Sequence, residues 1–397
     1  MDRLGKTFKP AKWNVTHELL FVLYFWGFTM LRPILQIFPD KSRFILLVFA
    51  TILLIISLFK ILSSGIVIKG YKLIAGVLFV LLCDLLFRPN IYTSQFIYEF
   101  IIYGLIPIHL LSQVKDTTKL LKTYSFFSVI VFILFFIDPF IDYATMEDYM
   151  TFGFSFALPA YFGLYIGRKI FGFKWILPIE LICLLELVVF ANRSTILSVV
   201  LLWVILEIFY VKRSIKKSVR IIVAISSFPL FLFFLQDILN WTNALLRKYD
   251  YYSYSLYHLQ LYISQRDWVG LFSGRFDIWN QAINIINENI IIGSGTGIFQ
   301  ARHGYYVHNI FYDIILQYGL LGLILLILLF IKSWINISRQ KESTKLVGLF
   351  LFCLWFPKLL FSAYIFKDIG FWCFLAYGFI LFSGKSEEKL NRRLSSS

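Results

Sequence analysis

Long apolar segments recur along the whole chain and leave little room for a soluble fold. The 397-residue sequence contains twelve stretches of 16–23 mostly apolar residues, and a membrane-spanning helix needs about 20. Apolar residues make up 59% of the chain and charged residues 15%, against about 45–50% and about 25% in soluble domains. This composition excludes an ordinary cytosolic enzyme, a disordered chain and a secreted disulfide scaffold.

The twelve stretches predict an all-α polytopic membrane protein that forms one domain, 1–397, with about 12 transmembrane helices. Each stretch has the length and apolar character of a single membrane crossing. The predicted spans are 17–38, 44–63, 72–88, 96–112, 120–138, 151–170, 174–190, 194–211, 219–236, 309–331, 345–365 and 368–383.

The distribution of Lys and Arg predicts that both termini are cytoplasmic. With the N-terminus inside, 26 of the 38 basic residues fall on the inner segments and 10 on the outer ones. Arg32 and Lys358 are the other two, and both lie within predicted helices. This alternation follows the positive-inside rule, so we assign the basic runs 212–220 and 385–393 to topogenic loops. No nucleic-acid partner is expected, despite the net charge of +15.

Residues 237–308 form a long extracytoplasmic loop in this topology, between helices 9 and 10. The loop is too long for a plain connector, so we expect it to be partly helical. Within it, apolar residues at helical spacing predict a short amphipathic helix over Arg275–Glu288, directly after Ser273 and Gly274.

Several ionisable residues fall close to the predicted outer ends of the helices. Charges inside a membrane protein are costly and usually face a partner or a cavity. Snorkelling and local ion pairs explain each residue taken singly. For the set, we expect an outward-open polar cavity. Its members are Arg32, Asp84, Arg88, Glu99, Glu186, Arg193, Lys358, Lys367 and Asp368.

Two arginines stand at predicted helix starts, where the helix dipole favours an anion over a cation. Arg193 lies in a very short outer turn, and Arg275 begins the amphipathic helix. Helix stability explains neither position. Free backbone N–H groups together with a guanidinium form a good phosphate site, so we interpret both arginines as ligands of an anion.

A histidine stands at the outer start of predicted helix 10. His308 begins the segment HNIFYDIILQYGLLG. An interfacial histidine with a polar neighbour is one interpretation. A general base for a substrate hydroxyl is the other, because imidazole titrates near neutral pH. Farther along the segment, Gly319 and Gly322 are expected to permit close helix packing.

Four short motifs along 193–322 together resemble those of the Wzy-type O-antigen polymerases and the WaaL-type O-antigen ligases. The helix count, the predicted topology and the long outer loop before the His-Asn helix agree with this resemblance. The motifs are Arg-x-x-x-Leu at Arg193–Leu197, SGR-x-x-x-W at Ser273–Trp279, GSGTG at Gly293–Gly297, and His-Asn followed nine residues later by Gly-x-x-Gly at His308–Gly322.

The resemblance implies a GT-C-like membrane glycosyltransferase that needs no metal and acts on glycans linked to undecaprenyl pyrophosphate. By carry-over, Arg193 and Arg275 bind the donor pyrophosphate, and His308 positions or deprotonates the acceptor hydroxyl. We expect substrate contacts from Arg32, Asn309, Lys358 and Tyr305. The enzyme is expected at the outer face of the cytoplasmic (inner) membrane, in contact with membrane lipid and without a cofactor. A chain-length regulator and a flippase are candidate partners.

The chemistry expected of these residues is compatible with the resemblance. Pyrophosphate is a good leaving group, so the main requirement is fixed positive charge, which arginine supplies while staying protonated. Attack by the acceptor hydroxyl would invert the anomeric centre. The sequence contains no Asp-x-Asp motif, and we predict no required divalent metal.

The reaction that we favour is polymerisation of surface polysaccharide, by transfer of a growing glycan onto a lipid-linked repeat unit. The alternative is an O-antigen ligase, which transfers the finished glycan to lipid A–core. A peptidoglycan polymerase is more distant, since Asp277 is a poor candidate for its acidic residue. A multi-helix transporter also stays open, although the sequence shows neither an internal repeat nor paired broken helices.

Overall fold

The computed structural model describes residues 16–37, 39–64, 71–137, 149–209, 233–265, 275–362 and 364–379. Helices dominate these ranges, which contain no strand, and we number the helices in chain order. They are α1 His17–Ile37, α2 Ser42–Ser64, α3 Tyr71–Phe87, α4 Ile91–Ser112, α5 Thr117–Phe135, α6 Tyr149–Phe171, α7 Leu177–Phe190, α8 Arg193–Phe209, α9 233–248, α10 Tyr254–Ser264, α11 Arg275–Glu288, α12 Ile298–His303, α13 Ile310–Ser338, α14 Glu342–Phe361 and α15 Ile369–Phe379.

These helices confirm an all-α polytopic membrane protein. Five of the described helices, α4, α5, α6, α13 and α14, are long and apolar enough to cross a membrane, and shorter apolar helices accompany them. Eleven of the twelve predicted spans coincide with helices of the described ranges. The ninth, 219–236, lies mostly outside the described residues, as do the basic runs 212–220 and 385–393.

Small residues allow the pair α5 and α6 to pack closely at the centre of the bundle. A Cβ added at Gly163 of α6 would lie 1.9 Å from Oγ of Ser128 on α5. One turn later, a Cβ at Gly167 would lie 3.2 Å from Cβ of Ser125. Helices associate in membranes largely through such small-residue contacts, because lipid offers no hydrophobic drive between them. The backbones of α5 and α6 therefore lie close together along this contact.

The helices run alternately, so their connections gather at two ends of the bundle. At one end, Glu18 of α1 accepts the backbone N–H groups of Lys115 and Asp116, and Thr117 of α5 donates to Ser343 of α14. The segments that the charge distribution assigns to the outer side meet at the other end, which we call the site end. That the site end faces outward stays a prediction from the sequence.

The predicted helix over 275–288 is confirmed as α11, and three further helices, α9, α10 and α12, lie within or begin just before 237–308. Ser273 and Gly274 lie outside the described residues. Trp279 of α11 donates its indole N–H to the carbonyl of Val307, at 3.2 Å. This bond joins α11 to the segment that precedes α13.

Helix α13 is interrupted at Gly319, where the expectation of close helix packing was wrong. Gly319 has φ 67° and ψ −167°, a backbone conformation that residues with a Cβ rarely adopt. A Cβ there would lie 2.1 Å from the carbonyl oxygen of Ile291. The interrupted backbone instead bonds the preceding loop, with Leu320 N–H donating to Ile290 and Gly295 N–H to Gln317.

The GSGTG motif forms this loop, and polar residues from the N-terminal half of the chain hold it. Arg88 donates to the carbonyl of Gly293 at 3.0 Å, and Asn90 to that of Thr296 at 2.6 Å. Asp84 accepts both the backbone N–H and the hydroxyl of Thr296. We call this arrangement of Asp84, Arg88 and Asn90 on the GSGTG loop the loop clamp.

Candidate active site

A cavity of about 210 Å³ opens at the site end, between α6, α8, α10 and α11. Both arginines that the sequence singles out line it, and most of the other side chains are polar or aromatic. The lining residues are Tyr149, Met150, Asn192, Arg193, Ser194, Tyr254, Ser255, His258, Tyr262 and Arg275.

The two arginines stand at the starts of two different helices. Arg193 is the first residue of α8, and the preceding Asn192 accepts the backbone N–H of Thr195 at 3.0 Å, as helix-capping residues do. Arg275 is the first residue of α11. The positive ends of two helix dipoles therefore converge on the cavity together with two guanidinium groups, which favours an anionic ligand.

The charge of Arg193 acts on Arg275. Burial lowers the pKa of Arg275, and the neighbouring Arg193 lowers it further. Two like charges in one partly buried cavity repel each other and disfavour the empty site. A ligand with two or more negative charges would remove this repulsion, as a diphosphate does.

His308 lies beside this pair in a strained conformation. Its φ of 59° falls in the left-handed region, which is uncommon for a residue with a side chain. Burial lowers the pKa of its imidazole to about 4, and Arg275 contributes to this shift. The ring is therefore neutral near pH 7 and can accept a proton. Its Nδ1 is buried and has no hydrogen-bond partner among the described residues.

Ser362, at the end of α14, connects the histidine to the arginine cavity. Its carbonyl accepts the hydroxyl of Tyr306 at 3.1 Å and favours the protonated form of His308. Its own hydroxyl lies 3.0 Å from that of Ser194, which follows Arg193. The rings of Tyr306 and His308 are 4.1 Å apart between centroids. Because of these contacts, the histidine and both arginines belong to one site.

Two of the other predicted substrate contacts serve local structure. Asn309 caps α13 by accepting the N–H groups of Phe311 and Tyr312, and its amide N–H donates to the carbonyl of Leu360 at 3.4 Å. Tyr305 is 38% exposed and donates its hydroxyl to Gln281 of α11. These contacts account for both residues without a substrate, and their binding roles stay predictions.

Lys358 and Arg32 lie apart from the arginine cavity. Lys358 forms a 2.8 Å ion pair with Asp368 and lines a second, smaller cavity of about 110 Å³, together with Lys367. Arg32 is partly buried near the end of α1 and is not among the described residues that line either cavity. Neither residue is among those that line the cavity of Arg193 and Arg275, and their substrate contacts stay predictions.

The charged residues that we expected to share one polar cavity are instead divided among several contacts. Asp84 and Arg88 hold the GSGTG loop, as the loop clamp. Glu99 accepts the hydroxyl of Tyr364 at 2.8 Å, and Lys358 pairs with Asp368. The expectation of a single cavity was therefore wrong, because local partners satisfy most of these charges.

Sequence reasoning missed several cavity residues, and a pattern in the sequence could have found His258 and Tyr262. With Tyr254, a tyrosine that could stack on a sugar ring, they are spaced four residues apart, which places three rings on one face of a helix. Tyr149 and Ser362 carry no such signal, because only the packing of α6 and α14 brings them to the site.

The site contains nitrogen and hydroxyl groups but few carboxylates. Within the described ranges, no group of three or more His, Cys, Asp or Glu residues could hold a metal ion. Metal independence stays a prediction of the resemblance.

Comparison with known proteins gives one match. Residues 179–327 match the family model described as O-Antigen ligase. No curated protein and no solved structure matches the chain. The matched segment includes Arg193, Arg275 and His308, as well as the GSGTG loop. Residues 179–327 of the chain are thus similar to the O-antigen ligase family.

Proposed function

We propose that this protein is a polysaccharide polymerase that uses a polyprenyl-diphosphate-linked glycan as its donor. The donor is the growing chain on undecaprenyl pyrophosphate, and the acceptor is a lipid-linked repeat unit at the outer face of the inner membrane. The observation that carries the proposal is that Arg193 and Arg275 line one cavity, and that Ser362 links this cavity to His308. All three residues of the proposed mechanism lie in the segment that matches the O-antigen ligase family model.

The arginines suit the leaving group of such a transfer. When the acceptor oxygen bonds the anomeric carbon, the bond from that carbon to the diphosphate oxygen breaks, and the lipid diphosphate departs with the electron pair. Negative charge then builds up on the diphosphate. Arg193 and Arg275 are fixed cations at the position where that charge develops, which stabilises the transition state.

The histidine suits the nucleophile. A neutral imidazole can take the proton of the acceptor hydroxyl as the new glycosidic bond forms. In the free protein, burial and Arg275 lower the pKa of His308 to about 4, so the ring is neutral at physiological pH. The negative charge of a diphosphate bound at Arg275 would oppose the effect of that arginine and make the imidazole a stronger base. In this scheme the hydroxyl attacks on the side opposite the diphosphate and inverts the anomeric centre, and no metal ion takes part.

An O-antigen ligase is the second candidate, because the matched family model carries that description. Both reactions use the same donor and the same three residues. They differ only in the acceptor, which is a lipid-linked repeat unit for the polymerase and lipid A–core for the ligase.

The acceptor can be tested with purified full-length protein in lipid nanodiscs. One reaction receives only the lipid-diphosphate-linked repeat unit, and a second receives lipid A–core in addition. A polymerase makes a ladder of longer glycans in the first reaction. A ligase makes no product there and a lipid A–linked glycan in the second.

An arginine outside the arginine cavity provides the matched control. Arg302 on α12 forms an exposed bidentate ion pair with Glu288, so Arg302→Ala removes the same charge elsewhere in the loop. Product from Arg302→Ala and none from Arg275→Ala would support the site. Full product from both Arg193→Ala and Arg275→Ala would contradict the proposed function.

A further inference from the structure

We infer that His258 is a third ligand of the donor diphosphate, which takes up a proton from solvent when the diphosphate binds and returns it when the diphosphate leaves. This inference rests on the proposed function, because it assigns the Arg193–Arg275 cavity to a diphosphate. It adds a pH-dependent ligand to two arginines whose charge does not vary.

The position of His258 supports the inference. The residue lies in the middle of α10 and lines the same cavity as both arginines. Its ring packs against Tyr254, with 4.1 Å between centroids, and more loosely against Tyr262. Tyrosine rings on the same helix thus hold the imidazole at the cavity wall.

One of its ring nitrogens is unsatisfied. Nδ1 of His258 is buried and has no hydrogen-bond partner among the described residues. A buried polar atom without a partner is uncommon in folded proteins, and a catalytic role or a bound ion or water is among its recognised causes. The unsatisfied nitrogen marks His258 as a group with hydrogen-bonding capacity to spare next to the arginines.

The charges around His258 are mostly positive. Arg193 from α8 and Arg275 from α11 share the cavity, and Arg247 of α9 stacks on Tyr257, which neighbours His258. Tyr149 of α6 also lines the cavity, and α7, which packs against α10, contributes the buried carboxylate Glu186. Burial lowers the pKa of His258, and Arg193 lowers it further. In the free protein, both effects favour the neutral imidazole.

Binding of a diphosphate would reverse this balance. Its negative charges neutralise the field of the arginines and favour the imidazolium, so the pKa of His258 rises on binding. A group whose pKa rises on binding strengthens that binding as the pH falls. The gain begins as the pH falls below the raised pKa of the complex and is complete below the lowered pKa of the empty site.

The test measures diphosphate affinity as a function of pH in the full chain. Purified protein in nanodiscs is titrated with geranyl diphosphate between pH 5.5 and 8.5, with geranyl alcohol to report binding of the prenyl chain alone. The ligand titrates as well, so each variant is compared with wild type at every pH. His303→Gln is the matched control, because His303 lies at the end of α12 and does not line the cavity.

Three variants give the expected pattern. His258→Gln should bind geranyl diphosphate about tenfold more weakly at pH 6, with little difference at pH 8.5. His258→Arg should bind at least as tightly as wild type at pH 8.5, with a smaller rise as the pH falls, because its charge is fixed. His303→Gln should follow wild type throughout, and thermal unfolding checks that each variant is folded.

The behaviour of His258→Gln decides whether the inference is wrong. If His258→Gln keeps both the affinity and the pH dependence of wild type, His258 only packs against its tyrosines and the inference is wrong. Arg193→Ala and Arg275→Ala separate this failure from that of the proposed function. If both arginine variants lose binding while His258→Gln does not, the diphosphate site stands without His258. If neither loses binding, the proposed function fails.

Discussion

Two polar regions at the site end, the loop clamp and the arginine cavity, use their charges in opposite ways. In the clamp, Asp84 faces a backbone N–H and a hydroxyl, and Arg88 faces a backbone carbonyl. In the cavity, two cations lie close together, and the charge of Arg193 lowers the pKa of Arg275. Charges that pair locally with hydrogen-bond partners stabilise the fold. Like charges that lie close together repel each other, and this repulsion favours binding of an anionic ligand. The same residue types therefore have different roles.

The largest expected effect is the loss of activity on removal of a cavity arginine. Arg275→Ala should lower glycan transfer by at least about 10²-fold, the usual result of removing one transition-state donor. Because the change also relieves repulsion from Arg193, the midpoint of thermal unfolding should stay the same or rise. Arg275→Lys should recover little activity, since the ammonium cannot make a bidentate contact. A large fall in the unfolding midpoint would place Arg275 with the clamp residues.

Substitution of His308 should lower activity as substitution of the arginines does. A substitute that tolerates its positive φ should also relieve backbone strain and so keep the protein stable. His308→Asn should lower turnover by about 10²-fold or more, because the amide of the asparagine side chain cannot act as a base. His308→Gly should be equally inactive and no less stable, since glycine adopts φ near 60° without strain. The measurements are turnover, binding of geranyl diphosphate and thermal unfolding. A His308→Gly variant that fails to fold would show that the ring serves packing.

The pH profile of the transfer provides a third test of the cavity. The base works only as neutral imidazole, and His308 has a pKa of about 4 in the free protein. Protonation of His308 should therefore not affect the activity between pH 6 and 8. The activity should fall as the pH drops through about 4. The profile of kcat/KM for the acceptor reports this limb. An acidic limb near 6.5 that persists in His258→Gln would contradict the buried position of His308.

A clamp variant should show the opposite pattern, with a smaller effect. Asp84→Asn keeps an acceptor but loses the charge that binds Thr296, so we expect unfolding to become easier by about 1–3 kcal/mol. The activity of each folded molecule should change little. Chemical denaturation and turnover, both at low temperature, measure these quantities. Unchanged stability with lost turnover would move Asp84 from the clamp to the reaction.

The smallest effect is expected from an exposed arginine in the same loop. Arg302 and Glu288 form an ion pair on the surface, with 41% and 48% of their side chains exposed. Exposed ion pairs contribute little to stability because water screens them. Arg302→Ala should therefore match wild type in both glycan transfer and thermal unfolding, and any clear loss of transfer would extend the site to α12.

The amino-acid pattern predicts the helices of this fold well, because the membrane fixes both their length and their apolar character. Spans such as 120–138 and 151–170 correspond to α5 and α6 within a few residues. The amphipathic spacing of 275–288 likewise predicts α11. Such features depend only on neighbours along the chain.

Features that depend on distant partners were harder to predict. Gly319 looks like a packing glycine in the sequence, but its role as a break in α13 requires the GSGTG loop to pair with it. Asp84 and Arg88 look like cavity residues until Thr296 and Gly293 are seen to bind them. His258 and Ser362 join the site only through the packing of α10 and α14.

A structure of the full chain in a nanodisc with a non-transferable polyprenyl diphosphate would show directly whether the two arginines bind the donor. We expect diphosphate density in the 210 Å³ cavity, within hydrogen-bonding distance of both Arg193 and Arg275. Diphosphate density elsewhere, with neither guanidinium group in contact with it, would show that these arginines do not bind the donor.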